Sequence, residues 1–350
     1  MQQNILIAGP CAAENESQIL NTASLLSKQF SDNNFNLNYY RTGVWKPRAH
    51  PASFTGAGEK ALPWLQKVQE QFGFPVCVEI ALPEQFALCE KFGITAFWIG
   101  ARTTVNPFLV DELCKAAQGH DYTIMLKNPI APDLRLWIGA IERFQRAGIN
   151  KIFAIHRGFS EQNESVLRNS PHWEIPIELK VQIPDIPLIC DASHIAGDKQ
   201  FLREITQLAL DFNFDGMMLE THDHPEKALC DAKQQVTPQE LVDLLKSLTF
   251  RNTASSPAEP ELELLRRQIE HIDNQLGRLL AKRMGLMDSI AALKADHNLP
   301  IVDPKQFKRV IERYQQVGLK DDDYKEFIDK FLDVLHYHSI RRQQKFEGEA

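Results

Sequence analysis

No apolar run in the 350 residues approaches the roughly 20 needed to cross a bilayer, so no membrane role is expected. The first residues hold no basic stretch followed by an apolar core, and strand-like sequence begins by Asn4, so a secretory leader is not expected either. The six cysteines (Cys11, Cys77, Cys89, Cys114, Cys190 and Cys230) show no paired spacing. That argues against a disulfide framework and for a reducing cytoplasm. No Gly-x-Gly-x-x-Gly follows the first strand-like run, which weighs against a dinucleotide-binding fold. A basic excess is missing too: the formal net charge is -7, and bulk nucleic-acid binding is not expected.

What is present is an ordinary soluble composition, in a chain longer than one core usually serves. Two domains are therefore expected. Charges balance within residues 261–350, so the whole negative excess lies before them. The Pro/Ser/Ala-rich stretch 251–260 reads as a linker between domains 1–250 and 261–350.

In the first domain, short β-rich runs alternate with helical patterns. The expected strands are 4–8, 37–41, 76–80, 95–99, 122–127, 151–156, 186–190 and 215–219. Helical patterns lie near 15–30, 58–72, 83–92, 107–118, 133–147, 175–182, 199–212 and 238–248. This α/β alternation predicts a (β/α)8 TIM barrel, with a doubly wound open sheet as the alternative.

Barrel chemistry gathers where strands end. The apolar run Met217–Leu219 stops at Glu220, and Asp231 follows after a short loop. The first strand runs into Gly9-Pro10-Cys11, and the seventh into Asp191-Ala192-Ser193-His194. A thiol, an imidazole and two carboxylates at these ends make Cys11, His194, Glu220 and Asp231 a candidate set for one divalent transition metal. Asp191 is the candidate to orient His194. Taken singly, each has a plainer reading: a buried small hydrophobe for Cys11, a core histidine for His194, a cap or ion-pair partner for either carboxylate.

Cations stand at other ends: Arg41 followed by Lys46-Pro47-Arg48, Arg102, Lys127 and Arg157. Such a ring in an acidic protein predicts a strongly anionic substrate bearing phosphate and carboxylate groups.

Together Gly9-Pro10-Cys11, Arg41…Lys46-Pro47-Arg48, Ile99-Gly100-Ala101-Arg102, Lys127, His156-Arg157-Gly158, Asp191-Ala-Ser-His194, Leu219-Glu220-Thr-His222 and Asp231 resemble the 3-deoxy-D-arabino-heptulosonate 7-phosphate (DAHP) synthase family, from residue 5 to about 245. The resemblance implies condensation of phosphoenolpyruvate with erythrose 4-phosphate, the first step of the shikimate pathway. It implies one divalent metal, manganese first and cobalt, iron or zinc otherwise, held by Cys11, His194, Glu220 and Asp231. Arg41, Lys46, Arg102, Lys127 and Arg157 would hold phosphoenolpyruvate, with Lys46 also catalytic, and Arg48 the erythrose phosphate. The family usually continues Lys-Pro-Arg with Thr and Ser or Thr, whereas Ala49-His50 stands here, so a hydroxyl expected near the aldose phosphate is missing. The related octulosonate synthases carry Lys-Ala-Asn-Arg, and Lys46-Pro47-Arg48 favours the heptulosonate reaction. An N-terminal regulatory extension seen in some relatives is not expected.

Beyond the linker, Leu265, Ile269, Ile272, Leu276, Leu279, Leu286, Ile290 and Leu293 recur at helical intervals, predicting one helix of about 33 residues. Asn298-Leu-Pro300 ends it, and further helices run from Asp303-Pro304 to about Val317 and over Asp322–Lys345. A small all-α three-helix domain that forms a helical dimer is expected. Arg283 and Lys294 share a face, but Arg266 lies about 25 Å from Arg283 along the axis. If one small ligand uses both arginines, Arg266 must come from a second chain.

Leu265-Arg266…Asp273…Arg283…Lys294…Asp303…Ser339…Gln343 resembles the all-helical chorismate mutases over residues 262–345. The resemblance implies rearrangement of chorismate to prephenate, with Arg266, Arg283, Lys294, Ser339 and Gln343 holding the carboxylates and ether oxygen and Asp303 near the hydroxyl. Catalysis would fall to Arg283, Lys294 and Gln343. The Arg-Glu pair usual after Asp303 is Gln306-Phe307 here. A homodimer or larger oligomer, with prephenate or chorismate inhibiting the barrel, is the expected arrangement. The alternative is the same synthase with a non-catalytic dimerising or ligand-sensing domain.

Overall fold

A computed structural model describes residues 4–47, 52–160, 166–250, 259–316 and 322–347. Two compact units divide at Asn252 and Thr253. In the first, eight parallel strands close into a barrel in sequence order. They are β1 (Ile5–Gly9), β2 (Tyr39–Thr42), β3 (Val76–Ile80), β4 (Ala96–Ile99), β5 (Thr123–Lys127), β6 (Lys151–His156), β7 (Leu188–Asp191) and β8 (Gly216–Glu220). The open-sheet alternative fails because β8 pairs with β1 over the whole strand, Ile5 opposite Gly216 and Gly9 opposite Glu220.

Each strand is buried on both faces, which explains why the runs are almost uniformly apolar. One face feeds the layer between strands and helices, where Leu6, Ala8, Val78, Phe97, Leu126 and Leu219 meet Leu26, Leu65, Trp137 and Leu241. The other fills the barrel with Ile7, Cys77, Ala96, Met125, Ile155, Ile189 and Met218, with Tyr39 packed against them. Side chains alternate along a strand, so the residue two positions after an inward one also points inward. Counting from this filling, the next inward layer is Gly9, Arg41, Glu79, Trp98, Lys127, Arg157, Asp191 and Glu220. A two-residue period thus turns an apolar interior into a polar mouth within one step.

Local signals start the surrounding helices. Asn15, Asn106 and Asp133 cap the helices Glu16–Asn33, Pro107–Ala117 and Leu134–Arg146. Thr237 and Glu240 form a reciprocal capping box at Pro238–Lys246. Two short helices at strand ends, Ala101–Thr104 and Ala192–Ala196, carry no separate periodic signal because each is about one turn long. They present Arg102 and His194.

The second unit is helical: Glu259–Asp296, Pro304–Gln316 and Asp322–Glu347. Its small core gathers Ile328, Leu332 and Leu335 against Leu280, Met284, Val310, Ile311, Tyr314 and Phe331. Along the first helix, Leu265, Ile269, Ile272, Leu276, Leu279, Leu286 and Leu293 stay exposed. No helix among the described residues is long and apolar enough to cross a membrane.

Candidate active sites

At the barrel mouth, four elements bring the candidate ligands to one rim. Gly9 is the hinge that lets β1 reach it. Its φ is +151°, and a Cβ there would lie 2.1 Å from the Arg41 carbonyl oxygen, a conformation and a contact open only to glycine. Two residues on, the buried Cys11 donates its N–H to Gln235 Oε1 at 3.0 Å. Gln235 Nε2 in turn donates to the Cys230 carbonyl at 3.0 Å. One amide side chain therefore clamps the end of β1 to the loop that carries Asp231. Asp231 is in the left-handed region (φ 51°), which aspartate tolerates better than most residues.

Cys11 Sγ is 3.1 Å from Asp231 Oδ2. Among the described residues, the group of metal-capable donors closing to within 4.8 Å of one another is Cys11, Cys230 and Asp231. His194 and Glu220 form a second pair, with Nε2 and Oε1 3.8 Å apart. The four ligands named from the sequence thus fall as two pairs, and Cys230 joins the first. Thiols, an imidazole and carboxylates in a buried setting suit a borderline-soft divalent ion. Asp191 takes His194 Nδ1 at 2.9 Å, which fixes the ring and leaves Nε2 for other work.

Three of the cations, Arg41, Lys46 and Lys127, are buried like Asp191 and Glu220. Arg41 pairs with Glu220 through Nη1 and Oε1, at 1% and 0% exposure, and its guanidinium lies 4.7 Å from the Trp98 ring centroid. Lys127 donates to Asp191 Oδ2 at 2.7 Å and sits 5.6 Å from the same ring. One indole ring thus serves two cations. Lys46 Nζ is 2.6 Å from Cys11 Sγ, 3.8 Å from Cys230 Sγ and 3.9 Å from Asp231 Oδ2. Arg157 donates to Asn169 Oδ1 at 2.8 Å. Arg102 is exposed on its short helix. Arg48, Ala49 and His50 lie outside the described residues.

Opposed charges set the ionisation states. Burial would raise Glu220, but His194, Arg41 and Lys46 hold its pKa down at about 2. Burial would likewise raise Asp191, and His194 and Lys127 keep it well below the usual range. Burial lowers His194 to about 4, with Asp191 opposing, so its imidazole is neutral near pH 7 and fit to be a ligand. Burial works against charge on Lys46, yet Cys11, Cys230 and Glu220 outweigh it and the ammonium persists. Arg157 falls to about 10 through burial, with Arg168 and Arg102 adding repulsion. The two thiols titrate together: burial raises Cys11, while a hydrogen bond from Cys11 lowers Cys230.

Several contributors escaped the sequence reading. Arg168 donates to Gln234 Oε1 at 2.7 Å and pairs with Asp231 Oδ1 at 3.2 Å. Gln234 Nε2 donates to Glu220 Oε2 at 2.7 Å. Trp98 and Glu79 join the inward layer through strand parity alone, a signal that was available once the filling residues were known. His156 faces the opposite way, among Trp137, Phe159, Trp173 and Phe214.

In the helical unit, Arg283 Nη1 donates to Ser339 Oγ at 2.8 Å, and Ser339 Oγ donates to the Leu335 carbonyl at 2.6 Å. Gln343 Nε2 donates to the Ser339 carbonyl at 3.3 Å, while its Oε1 is buried with no hydrogen bond. Ser339 and Gln343 are 4% and 7% exposed, so a solvated helix face does not describe them. Lys294 Nζ donates to the Ile301 carbonyl at 2.5 Å. Asp303 Oδ1 accepts from the N–H groups of Lys305 and Gln306. Phe307 stacks on His336 with centroids 3.7 Å apart. Arg266 lines a shallow hollow with Ile269, Glu270, Asp273 and Asn274, separate from the Arg283 group.

Comparisons with known proteins divide the chain in the same way. A family model described as the DAHP synthetase I family matches residues 2–254, and one described as chorismate mutase type II matches residues 265–344. A phospho-2-dehydro-3-deoxyheptonate aldolase of Thermotoga maritima is 27% identical over 246 residues, 69% of either chain. A 2-dehydro-3-deoxyphosphooctonate aldolase of Geobacter metallireducens is 29% identical over 262 residues, 70% of this chain and 90% of that one. The crystal structure of the Thermotoga maritima DAHP synthase is similar with a TM-score of 0.60 at 26% identity, covering 69% of this chain and 67% of that one.

Proposed function

The chain belongs to the DAHP synthetase I family and carries a type II chorismate mutase domain, and from that membership we propose which substrates it takes and which residues serve them. The barrel joins phosphoenolpyruvate to erythrose 4-phosphate, giving DAHP and phosphate. The observation that carries this reading is the inward layer of buried charges, Arg41, Lys127, Asp191 and Glu220, beside the Cys11–Asp231 pair.

Two phosphorylated substrates repel each other, so their approach requires fixed positive charge that needs no reorganisation. Arg102, Lys127 and Arg157 hold the phosphate and carboxylate of phosphoenolpyruvate, with Arg41 and Lys46 beneath, and Arg48 takes the aldose phosphate. The methylene carbon of phosphoenolpyruvate attacks the aldehyde carbon. Water adds at the neighbouring carbon, and the C–O bond to phosphate then breaks. The aldehyde oxygen takes a proton and becomes a hydroxyl; Lys46, charged despite burial, is our candidate donor. Cys11, His194, Glu220 and Asp231 would hold one divalent ion (manganese, cobalt, iron or zinc), which would supply Lewis acidity at the aldehyde oxygen.

Both heptonate and octonate aldolases stand among the relatives, so the aldose is the point to test. Phosphoenolpyruvate consumption is measured with erythrose 4-phosphate and with arabinose 5-phosphate, each with and without a chelator. We expect turnover with erythrose 4-phosphate and its loss on chelation. Preference for arabinose 5-phosphate would overturn the heptulosonate assignment.

The helical unit converts chorismate to prephenate by electrostatic stabilisation. Arg283, Lys294, Ser339 and Gln343 act with the partner subunit's Arg266, and Asp303 lies near the ring hydroxyl. A homodimer through the exposed apolar face of Glu259–Asp296 is part of this reading. One observation favours weakened turnover with retained binding, the non-catalytic alternative in milder form: Phe307, stacked on His336, stands where the resemblance expects a Glu, leaving Asp303 alone near the hydroxyl. Prephenate bound there would inhibit the barrel, and synthase rates unchanged across a prephenate titration would exclude this. A cytoplasmic setting belongs to the same reading, the six cysteines being unpaired.

A further inference from the structure

We propose that Cys230 is itself a metal ligand, so that the ion at the barrel mouth is held by two thiolates, Cys11 and Cys230, beside Asp231. The inference rests on the metal-binding reading above and adds to it a residue that no motif assigns.

The geometry meets the demands of a shared ion. Two sulfurs each about 2.3 Å from a tetrahedral centre stand about 3.8 Å apart, and a carboxylate oxygen at about 2.0–2.2 Å falls slightly nearer. Cys11 Sγ, Cys230 Sγ and an Asp231 oxygen lie within 4.8 Å of one another. Small side-chain rotations therefore suffice to close them on one point. Both sulfurs already face a common cation, the Lys46 ammonium at 2.6 and 3.8 Å.

The backbone keeps the arrangement in place. Gln235 binds the Cys11 N–H and the Cys230 carbonyl through the two ends of one side chain. The left-handed turn at Asp231 lets adjacent residues 230 and 231 both face Cys11. Other cysteines have different surroundings: Cys77 fills the barrel with apolar neighbours, and Cys89 and Cys114 pack in the outer core.

A second thiolate has a chemical consequence. Soft sulfur donors favour zinc, and also iron and cobalt, over manganese, whose preference is for oxygen. Manganese, the first expectation from the family, is thereby displaced as the preferred ion of this chain.

The full-length protein, stripped of metal and kept reduced, is titrated with Co2+ while the near-ultraviolet thiolate-to-cobalt charge-transfer band is recorded. The wild-type band should fall by about half in Cys230→Ser and by about half in Cys11→Ser. Zinc affinity in Cys230→Ser should drop by roughly tenfold or more, with manganese affinity changed far less. Circular dichroism of each variant confirms folding. X-ray absorption of the zinc-loaded wild type needs no variant, and should count two sulfurs at about 2.3 Å. A band unaltered by Cys230→Ser but abolished by Cys11→Ser, or a single sulfur by absorption, would overturn the proposal while leaving the metal site intact. No thiolate band in the wild type would instead remove the metal reading itself, and this inference with it.

Discussion

Replacing Arg41 by methionine removes one charge from a pair that has no water to replace it. Arg41 and Glu220 are 1% and 0% exposed, and truncating one member of such a pair costs about 3–5 kcal/mol, because the other is left charged in a poor solvent. Loss of the contact with Trp98 adds about 0.5–2 kcal/mol. Gln234 and His194 still reach Glu220, which keeps the total near the lower figure, about 3–4 kcal/mol. All five tryptophans (45, 64, 98, 137 and 173) belong to the barrel unit. Tryptophan fluorescence during urea unfolding therefore follows the barrel alone. With an m-value near 3 kcal/mol/M, the midpoint should fall by about 1 M. Adding Glu220→Gln removes the stranded charge, so the double variant should regain about 2 kcal/mol relative to additivity. The sign with pH follows from burial, which raises Glu220 once its partner is gone. The single variant is then least destabilised in mild acid and worse as pH rises. A midpoint shift below about 0.3 M, or strict additivity in the cycle, would refute the claim that this pair is energetically coupled.

Three other outcomes are expected. His156 is buried, and its pKa is lowered to about 3, chiefly by burial, with the Pro171 backbone opposing. The unfolded chain takes up the proton below about 6.5 and the native one does not, so stability falls between those values; from pH 7 to 5 the loss is about 2 kcal/mol. His156→Phe should show a correspondingly flatter urea midpoint over that range, and an unchanged slope would contradict the assignment. Cys11→Ala should abolish metal-dependent turnover while far-ultraviolet circular dichroism stays native, and full activity would remove Cys11 from the site. Ile272→Glu with Leu279→Glu charges the exposed apolar face of the long helix, and sedimentation should then report a monomer; a dimer that persists would place the interface elsewhere.

Much of this architecture is legible in the sequence. The eight strands announce themselves because parallel strands buried on both faces become short apolar runs, and Arg41, Lys127 and Glu220 stand out where those runs stop. Cys230 did not stand out: a lone cysteine after Ala228-Leu229 has the composition of ordinary packing, and only the left-handed turn at Asp231 brings it to Cys11. Trp98 reads as core because it is core, and its second role depends on Arg41 and Lys127 arriving from β2 and β5. Gln234, Gln235 and Arg168 act through partners far away in sequence, a kind of relation that spacing does not encode. Gln343 lies four residues after Ser339, which fixes a shared helix face but not whether that face meets solvent or protein.

The strict alternation of inward and outward positions also limits how this enzyme can vary. Insertion or loss of one residue within β5 would exchange Lys127 for a neighbour that belongs to the outer layer, and the same holds for Arg41 in β2 and Glu220 in β8. Chain-length changes are therefore confined to the connecting segments. Within a strand, heredity can alter the letters at the mouth but can hardly change the count.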